Sequence, residues 1–325
     1  MNFTTARRFL ESHQDFILAA HRSPDGDTLG SCLALRLALL SIGKRATVAC
    51  VDEVPQYLRF LPGSETVTNA PDHVPEAVIY IDCACHSRVG DLEAFYDQAL
   101  YCFCIDHHIT NPCESKDGDW VEPVGATAEM IERLIVDMQI PLTKEIAACL
   151  YTAIVTDTGN LSYSNTTPDT FRIAGELCSA GIDLSELNRR LFRTMPVRKA
   201  RLLARTLDRM EFYEDGLIAI SCITKQDLDA CGASEADVEG LIDYLRDLEP
   251  VEVACTLRES KEGVIRGSLR AKCGADVAKP AARFGGGGHP RAAGLTMYEP
   301  IEQAKQRLLP ELIEAVREWK ASLPS

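Results

Sequence analysis

Along the first half of the chain, short wholly apolar runs alternate with longer stretches in which apolar residues recur at helical spacing. Phe16–Ala20 (FILAA), Ala46–Val51, Ala77–Ile81 (AVIYI) and Leu100–Ile105 (LYCFCI) read as strands. Runs that are apolar throughout, rather than alternating, suit strands buried on both faces. Helical patterns cover Thr28–Ser41, Thr127–Met138 and Lys144–Thr156. Strands alternating with helices predict an α/β unit built on a parallel sheet. From Leu184 to Arg209 the pattern is helical and rich in arginine, and reads as a connector. Beyond it the texture changes. Leu217–Thr224, Val251–Leu257 and Val264–Ala271 are strand-like, the last two joined by a hairpin-like stretch containing ESKEG. A glycine run, FGGGGHPRAAG, follows, and a helix over Ile301–Leu323 closes the chain. The expected boundaries are 1–185 for the parallel-sheet domain, 186–210 for the connector and 211–325 for a smaller mixed α/β domain.

Composition narrows what such a chain does. A formal net charge of -14 argues against a general binder of long nucleic acid, which carries a broad basic face. It leaves room for a small anion held by cations and a local basic patch. The 13 cysteines include no C-x-x-C pair, so a cysteine zinc site is not expected and free thiols in a reducing compartment are. Arg7, Arg8, Glu11 and Asp15 stand where a signal peptide needs an apolar core. The longest apolar candidate, SCLALRLALLSIG, is interrupted by Arg36, well short of the roughly 18 residues of a membrane span. A cytoplasmic location without a membrane segment is expected.

Four segments carry acids and histidines at the ends of these elements: His21, Asp25 and Asp27 in AAHRSPDGDTLGS, Asp82 in YIDCA, Asp106, His107 and His108 in CIDHHITN, and Asp157 in IVTDTGNLSYSNTT. In an open parallel sheet, ligands bind outside the carboxyl ends of the strands. One aspartate after a strand is ordinarily a helix cap. Four acidic clusters in one place without cations would be costly in repulsion and desolvation. Two divalent cations about 3.5–4 Å apart need such oxygen and imidazole donors, and a carboxylate can bridge them. The mixture suits Mn²⁺ and admits Mg²⁺, Co²⁺ or Zn²⁺.

In order, AHRSPDGDTLGS, IDCA, IDHH, TDTGNLSYSNTT and GGGGHPRAAG make the sequence resemble a DHH-family phosphoesterase with the DHH-associated (DHHA1) C-terminal domain, in the branch that handles short oligoribonucleotides and phosphoadenosine phosphate. The resemblance implies a Rossmann-like parallel-sheet DHH domain, a helical connector and a smaller mixed α/β DHHA1 domain. It implies that His21 and Asp25 bind one cation, that Asp27, His107 and Asp157 bind the second, and that Asp82 bridges them around a nucleophilic water. Asp106 would orient a histidine ring, and His108 would contact the substrate phosphate. Asn160 and the stretch 162–167 are either site lining or turn chemistry.

The glycine run, taken as composition, is either a flexible linker or a backbone that approaches phosphate closely. From Arg258 to Arg291, eight Lys or Arg stand against three acids, which favours the second reading. The resemblance implies that Gly286, Gly287, Gly288, His289 and Arg291 bind the nucleotide, with Arg270 as a phosphate partner. Arg266 and Arg270 could also be a merely solvated strand face. The expected activity is hydrolysis of short oligoribonucleotides to mononucleotides, extending to phosphoadenosine phosphate. The alternatives are a cyclic or linear dinucleotide phosphodiesterase, a manganese pyrophosphatase and a nucleotide sensor without catalysis. Short RNA or nucleotides are the expected partners, and a homodimer is left open.

Overall fold

The computed structural model describes residues 3–260 and 263–323. Lys261 and Glu262, in the middle of the ESKEG stretch, lie outside the described residues. The chain divides after Thr194 into two compact units. The first holds α1 (Phe3–Ser12), β1 (Asp15–Ala19), α2 (Gly26–Ser41), β2 (Arg45–Ala49), β3 (Ala77–Ile81), α3 (Glu93–Tyr96), β4 (Tyr101–Asp106), β5 (Asp119–Val121), α4 (Thr127–Asp137), α5 (Lys144–Asp157), α6 (Pro168–Ser179) and α7 (Leu184–Phe192).

Its five strands form one parallel sheet in the order β2-β1-β3-β4-β5. Alternate residues of each strand feed opposite cores. Phe16, Leu18, Ile79, Ile81, Phe103 and Ile105 join the large core packed under the helices. Ile17, Ala19, Val78, Tyr80 and Cys104 join a smaller one on the other face. This explains why the strand sequences lack a polar alternation. The order reverses between β1 and β3, which opens the crevice where doubly wound sheets hold ligands.

Helices α2 and α5 pack against each other at close range. A Cβ on Gly26 would overlap the Thr156 hydroxyl, so only glycine allows the start of α2 to meet the end of α5. That approach brings Asp27 and Asp157 together. Asp25 caps α2, its Oδ1 accepting the Thr28 N–H at 3.0 Å, so the helix starts earlier than the sequence pattern suggested.

Helix α4 turns Glu132 inward, where it is 2% exposed. Burial, then the charge of Glu176 on α6 and a hydrogen bond with it, raises the Glu132 carboxyl to about 7. Its folded pKa therefore exceeds the unfolded value near 4.5. The stability this carboxyl contributes is complete below about pH 4.5 and lost as pH rises through about 7. The E132Q variant is expected to be more stable than the parent at pH 8 by about 1–3 kcal/mol and to match it at pH 5. Denaturant melts at the two pH values check this.

The second unit holds α8 (Val197–Asp208), β6 (Glu211–Tyr213), β7 (Ile218–Ile223), α9 (Lys225–Cys231), α10 (Leu241–Arg246), β8 (Val253–Glu259), β9 (Ile265–Ala271), α11 (Ala278–Arg283), β10 (Gly287–His289), β11 (Ala292–Met297) and α12 (Ile301–Ser322). Its sheet runs β10-β11-β9-β8-β7-β6, with β7 and β8 parallel and the other pairs antiparallel. One face packs on α11 and α12. On the other, α8, α9 and α10 cover β7 and β8. The arginine-rich stretch is thus two helices, α7 and α8, separated by residues 193–196.

The glycine run is structured. Gly287–His289 pair with Ala292–Gly294, and the Gly286 N–H donates to the Ala281 carbonyl at 2.9 Å. The buried Glu252 carboxylate accepts the backbone N–H groups of Cys273, Gly274 and Ala275, which holds the turn leading into α11. The thirteen cysteines are free thiols. Among the described residues, no helix is long and apolar enough to cross a membrane.

Candidate dimetal centre

The strand ends at the crevice deliver the acids and histidines together. His21 follows β1, Asp82 follows β3, Asp106 ends β4 with His107 and His108 directly after it, and Asp157 ends α5. Among the described residues, three groups could each hold a metal ion, the donor atoms of each lying within 4.8 Å of one another. They are His21, Asp25 and Asp82; Asp27, His107 and Asp157; and Asp82, His107 and His108.

Asp82 lies at the centre, 2% exposed and at a φ of 55°, an uncommon backbone conformation for a residue with a side chain. Its Oδ2 is 3.7 Å from His21 Nε2, and its Oδ1 is 3.5 Å from His107 Nε2. Two threonine hydroxyls set its plane: Thr28 donates to Oδ2 at 2.7 Å and Thr127 to Oδ1 at 3.0 Å. Asp27 accepts the Thr127 and Ala128 N–H groups at 2.7 and 3.0 Å, which places a buried carboxylate at the positive end of α4.

The histidines are oriented by their other ring nitrogens. His21 Nδ1 lies 2.7 Å from the Arg22 carbonyl, and His107 Nδ1 lies 3.1 Å from the Val124 carbonyl. A carbonyl only accepts, so each Nδ1 carries the proton, and a neutral ring turns the lone pair of Nε2 inward. His21 Nε2 then faces Asp25 at 3.8 Å as well as Asp82. His107 Nε2 faces Asp27 at 3.9 Å and Asp157 at 3.8 Å as well as Asp82. Acceptor atoms thus converge on acceptor atoms. Such a set is stable only with a proton on each Nε2 or a cation between the donors, and its oxygen and imidazole chemistry fits divalent cations.

Without metal, the carboxylates repel. Burial, then the charges of Asp82, Asp157 and Asp25, holds Asp27 well above the ordinary carboxylate range. Asp157 is pushed up to about 6, by burial first. Burial also opposes ionisation of Asp82, but the facing His21, His107 and His108 outweigh it and bring its pKa down to about 2. Burial lowers His21, yet Asp82 and Asp25 leave its pKa above the ordinary histidine value.

Asp106 is fully buried and makes a different set of contacts. Its Oδ1 lies 2.7 Å from His108 Nδ1 and accepts the His107 N–H at 2.9 Å, while Asn111 donates to its Oδ2 at 2.7 Å. It therefore fixes the His108 ring. Burial lowers the His108 pKa, but Asp106 and Asp82 raise it further, so the net shift is upward. From the stretch after Asp157, Asn165 reaches the Asp157 side chain at 3.4 Å. Sequence reasoning missed Thr28, Thr127 and Asn111. The proximity of Thr28 to the DGD acids is a weak signal, and nothing in the sequence marks the other two.

The residues expected to meet a nucleotide lie in the second unit. His289 pairs with Ala292, which pairs with Arg270 on the next strand, and the Arg291 carbonyl accepts the Ala271 N–H at 3.0 Å. Gly286, Gly287 and Gly288 continue the same edge. Arg270, Ser268 and Arg266 alternate with buried Ala271, Leu269, Gly267 and Ile265, so the arginines share the face opposite α11 and α12. This unit thus presents basic side chains beside exposed glycine backbone.

A parallel sheet with an acid- and histidine-lined crevice, followed by a mixed-sheet unit with a glycine edge, defines a class of metal-dependent phosphoesterase. Residues 15–154 match the DHH family N-terminal domain and residues 220–321 match the DHHA1 domain. The chain belongs to the DHH family, whose members are hydrolases of phosphate esters. It is similar along most of its length to the bifunctional oligoribonuclease and PAP phosphatase NrnA of Thermus thermophilus, with 37% identity covering 93% of this chain and 89% of the relative. The protein of the same name from Bacillus subtilis is 28% identical, covering 90% of this chain and 92% of the relative. Among solved structures, an exopolyphosphatase-related protein from Bacteroides fragilis has a TM-score of 0.89 at 27% identity, covering 96% of this chain and 95% of that one.

Proposed function

We propose that this chain hydrolyses short oligoribonucleotides to mononucleotides, and phosphoadenosine phosphate to AMP, with two divalent cations, manganese in the first instance. The observation that carries the reading is the position of Asp82, whose two oxygens face His21 on one side and His107 on the other. His21 and Asp25 would hold one cation and Asp27, His107 and Asp157 the second, with Asp82 shared between the two sets. The bound cations would supply Lewis acidity, lowering the pKa of an attacking water and neutralising phosphate oxygens.

The chain's own residues do the rest. The Arg22 and Val124 carbonyls hold the two imidazoles with Nε2 turned inward. Thr28 and Thr127 keep the Asp82 carboxylate in plane. His108, its ring fixed by Asp106, contacts the phosphoryl group and offsets charge there. In the second unit, Arg270, His289, Arg291 and the Gly286–Gly288 backbone grip the nucleotide. The substrate class is supported by the similarity to the bifunctional oligoribonucleases and PAP phosphatases. A cytoplasmic location and a homodimeric assembly belong to the same proposal.

The test is one manganese-dependent assay over two- to five-residue RNAs, phosphoadenosine phosphate, cyclic dinucleotides and pyrophosphate. Mononucleotide release from the short RNAs, with AMP from phosphoadenosine phosphate, is the expected result. Faster turnover of cyclic dinucleotides or of pyrophosphate would replace this reading by that one.

A further inference from the structure

The groups that would hold the second cation come from separate segments, yet one short stretch of backbone, residues 124–127, holds three of them. The Val124 carbonyl lies 3.1 Å from His107 Nδ1. The Thr127 N–H donates to Asp27 Oδ2 at 2.7 Å, and the Thr127 hydroxyl donates to the shared Asp82 at 3.0 Å. Asp157 arrives from the far end of α5. Among the described residues it makes no hydrogen bond of its own to this stretch.

Asn165 makes the connection. Its Nδ2 donates to the Gly125 carbonyl at 2.9 Å, in the middle of that stretch, and lies 3.2 Å from the Asp157 carbonyl and 3.4 Å from Asp157 Oδ2. All three partners only accept, so the amide has one orientation: turned over, it would set Oδ1 against them. The approach is close. A Cβ on Gly125 would stand 3.0 Å from the Asn165 carbonyl oxygen and overlap Glu129 Oε1, so glycine is what lets residues 125 and 165 meet. Among the described residues the buried Asn165 Oδ1 has no hydrogen-bond partner. An unsatisfied buried acceptor works against stability, so the contribution of this side chain lies on its donating side.

The strap that carries Asn165 is shaped to bring it back to Asp157. Gly159, Asn160 and Leu161 have φ angles of 55°, 56° and 62°, three left-handed residues in succession that reverse the chain after α5. The Asn160 N–H donates to the Val155 carbonyl at 2.7 Å, the Tyr163 N–H to the Thr158 carbonyl at 3.0 Å, and the Leu161 N–H to the Thr158 hydroxyl at 3.2 Å. At its other end Thr167 caps α6 in a reciprocal pair with Thr170, whose hydroxyl donates to Glu129 of α4 at 2.8 Å. The strap is thus fastened to α5 and to α4, with Asn165 between the two fastenings.

We infer that Asn165 is a positioning residue for the second cation, a role that rests on the dimetal reading given above. It ties Asp157 to the stretch that already orients His107, Asp27 and Asp82, so that the four keep one geometry. The groups particular to the first cation are held elsewhere, His21 by the Arg22 carbonyl and Asp25 by the start of α2. Loss of the amide therefore weakens one ion and spares the other.

The experiment is calorimetric titration of the metal-free full chain with manganese, comparing wild type, N165L, N165Q, D157N and the N165L/D157N pair. Wild type is expected to bind two ions. N165L should bind one ion as wild type does and the other about 10- to 100-fold more weakly, the usual weight of a group that orients a metal ligand. N165Q keeps the donor on a longer arm and should recover part of the loss. N165A, which removes the amide without added bulk, repeats the test in case leucine disturbs the strap. On the D157N background N165L should change the affinity of the remaining ion by less than about threefold, since no carboxylate is left to position. An N165L protein that binds both ions within threefold of wild type overturns the proposal. So does equal weakening of both ions, the same loss on the D157N background, or a metal-free melting temperature well below that of wild type, each of which makes the role structural. A wild-type chain that binds fewer than two ions ends the dimetal reading and this one with it. Two ions in wild type, bound unchanged in N165L, end only the role of Asn165.

Discussion

Replacing Asp82 by asparagine is expected to abolish phosphoester hydrolysis while leaving the chain folded. The amide has nearly the shape of the carboxylate. The Thr28 and Thr127 hydroxyls, which now donate to Oδ2 and Oδ1, can rotate to keep both contacts, accepting from the amide N–H₂ on one side. The amide retains a single ligand oxygen and no charge, so it cannot join two cations. A fall in kcat of about three orders of magnitude or more is expected, because a bridging ligand serves both metals at once. Steady-state kinetics at saturating manganese would measure it, and metal analysis should show the stoichiometry dropping from two ions per chain toward one. A D82N protein within tenfold of the parent, still holding two ions, would show that the carboxylate does not bridge.

The second large effect is expected at Gly286. A Cβ there would overlap the Gly294 carbonyl and the Leu295 backbone, and Gly288 is similarly hemmed in by Ala292 and Ala293. Backbone cannot move aside as a flexible side chain does. G286A should force the β10 edge away from β11, destabilise the second unit by about 1–3 kcal/mol, and displace His289 and Arg291. Nucleotide hydrolysis should fall about 10- to 100-fold, while bis-p-nitrophenyl phosphate, which offers no nucleotide to grip, should be cleaved at nearly the parental rate. R291A is the milder companion, removing one side chain without disturbing the hairpin, and should weaken nucleotide substrates selectively. Parallel loss on both substrates in R291A would mean that this edge does not hold the nucleotide.

The two variants separate the tasks assigned to the two units. Loss at Asp82 should be independent of the substrate, because every phosphoester passes the same cations. Loss at Gly286 should scale with how much of the substrate is nucleotide.

Much of this molecule was legible in the chain alone. The strands over Ala77–Ile81 and near residues 16–19 and 101–105 have apolar sequences because both faces of the sheet are covered. The acids and histidines that follow them must then emerge at one edge, since parallel strands all end on the same side. Elements with no such signature were not legible. Strand β5 is three residues long, β6 is largely exposed, and β10 is two glycines and a histidine with no intrinsic preference for extended structure. Each is a strand only because a neighbour pairs with it.

By itself, then, the order of residues determined the α/β class, the parallel sheet and the set of acids and imidazoles at its strand ends, because periodicity and side-chain chemistry are local properties. Tertiary structure alone decided that Asp82 faces His21 with one oxygen and His107 with the other, and that Thr28 and Thr127 hold it there. Those relations join residues 25 to 61 positions apart. They depend on strand order and helix packing, for which no short stretch of sequence carries a mark.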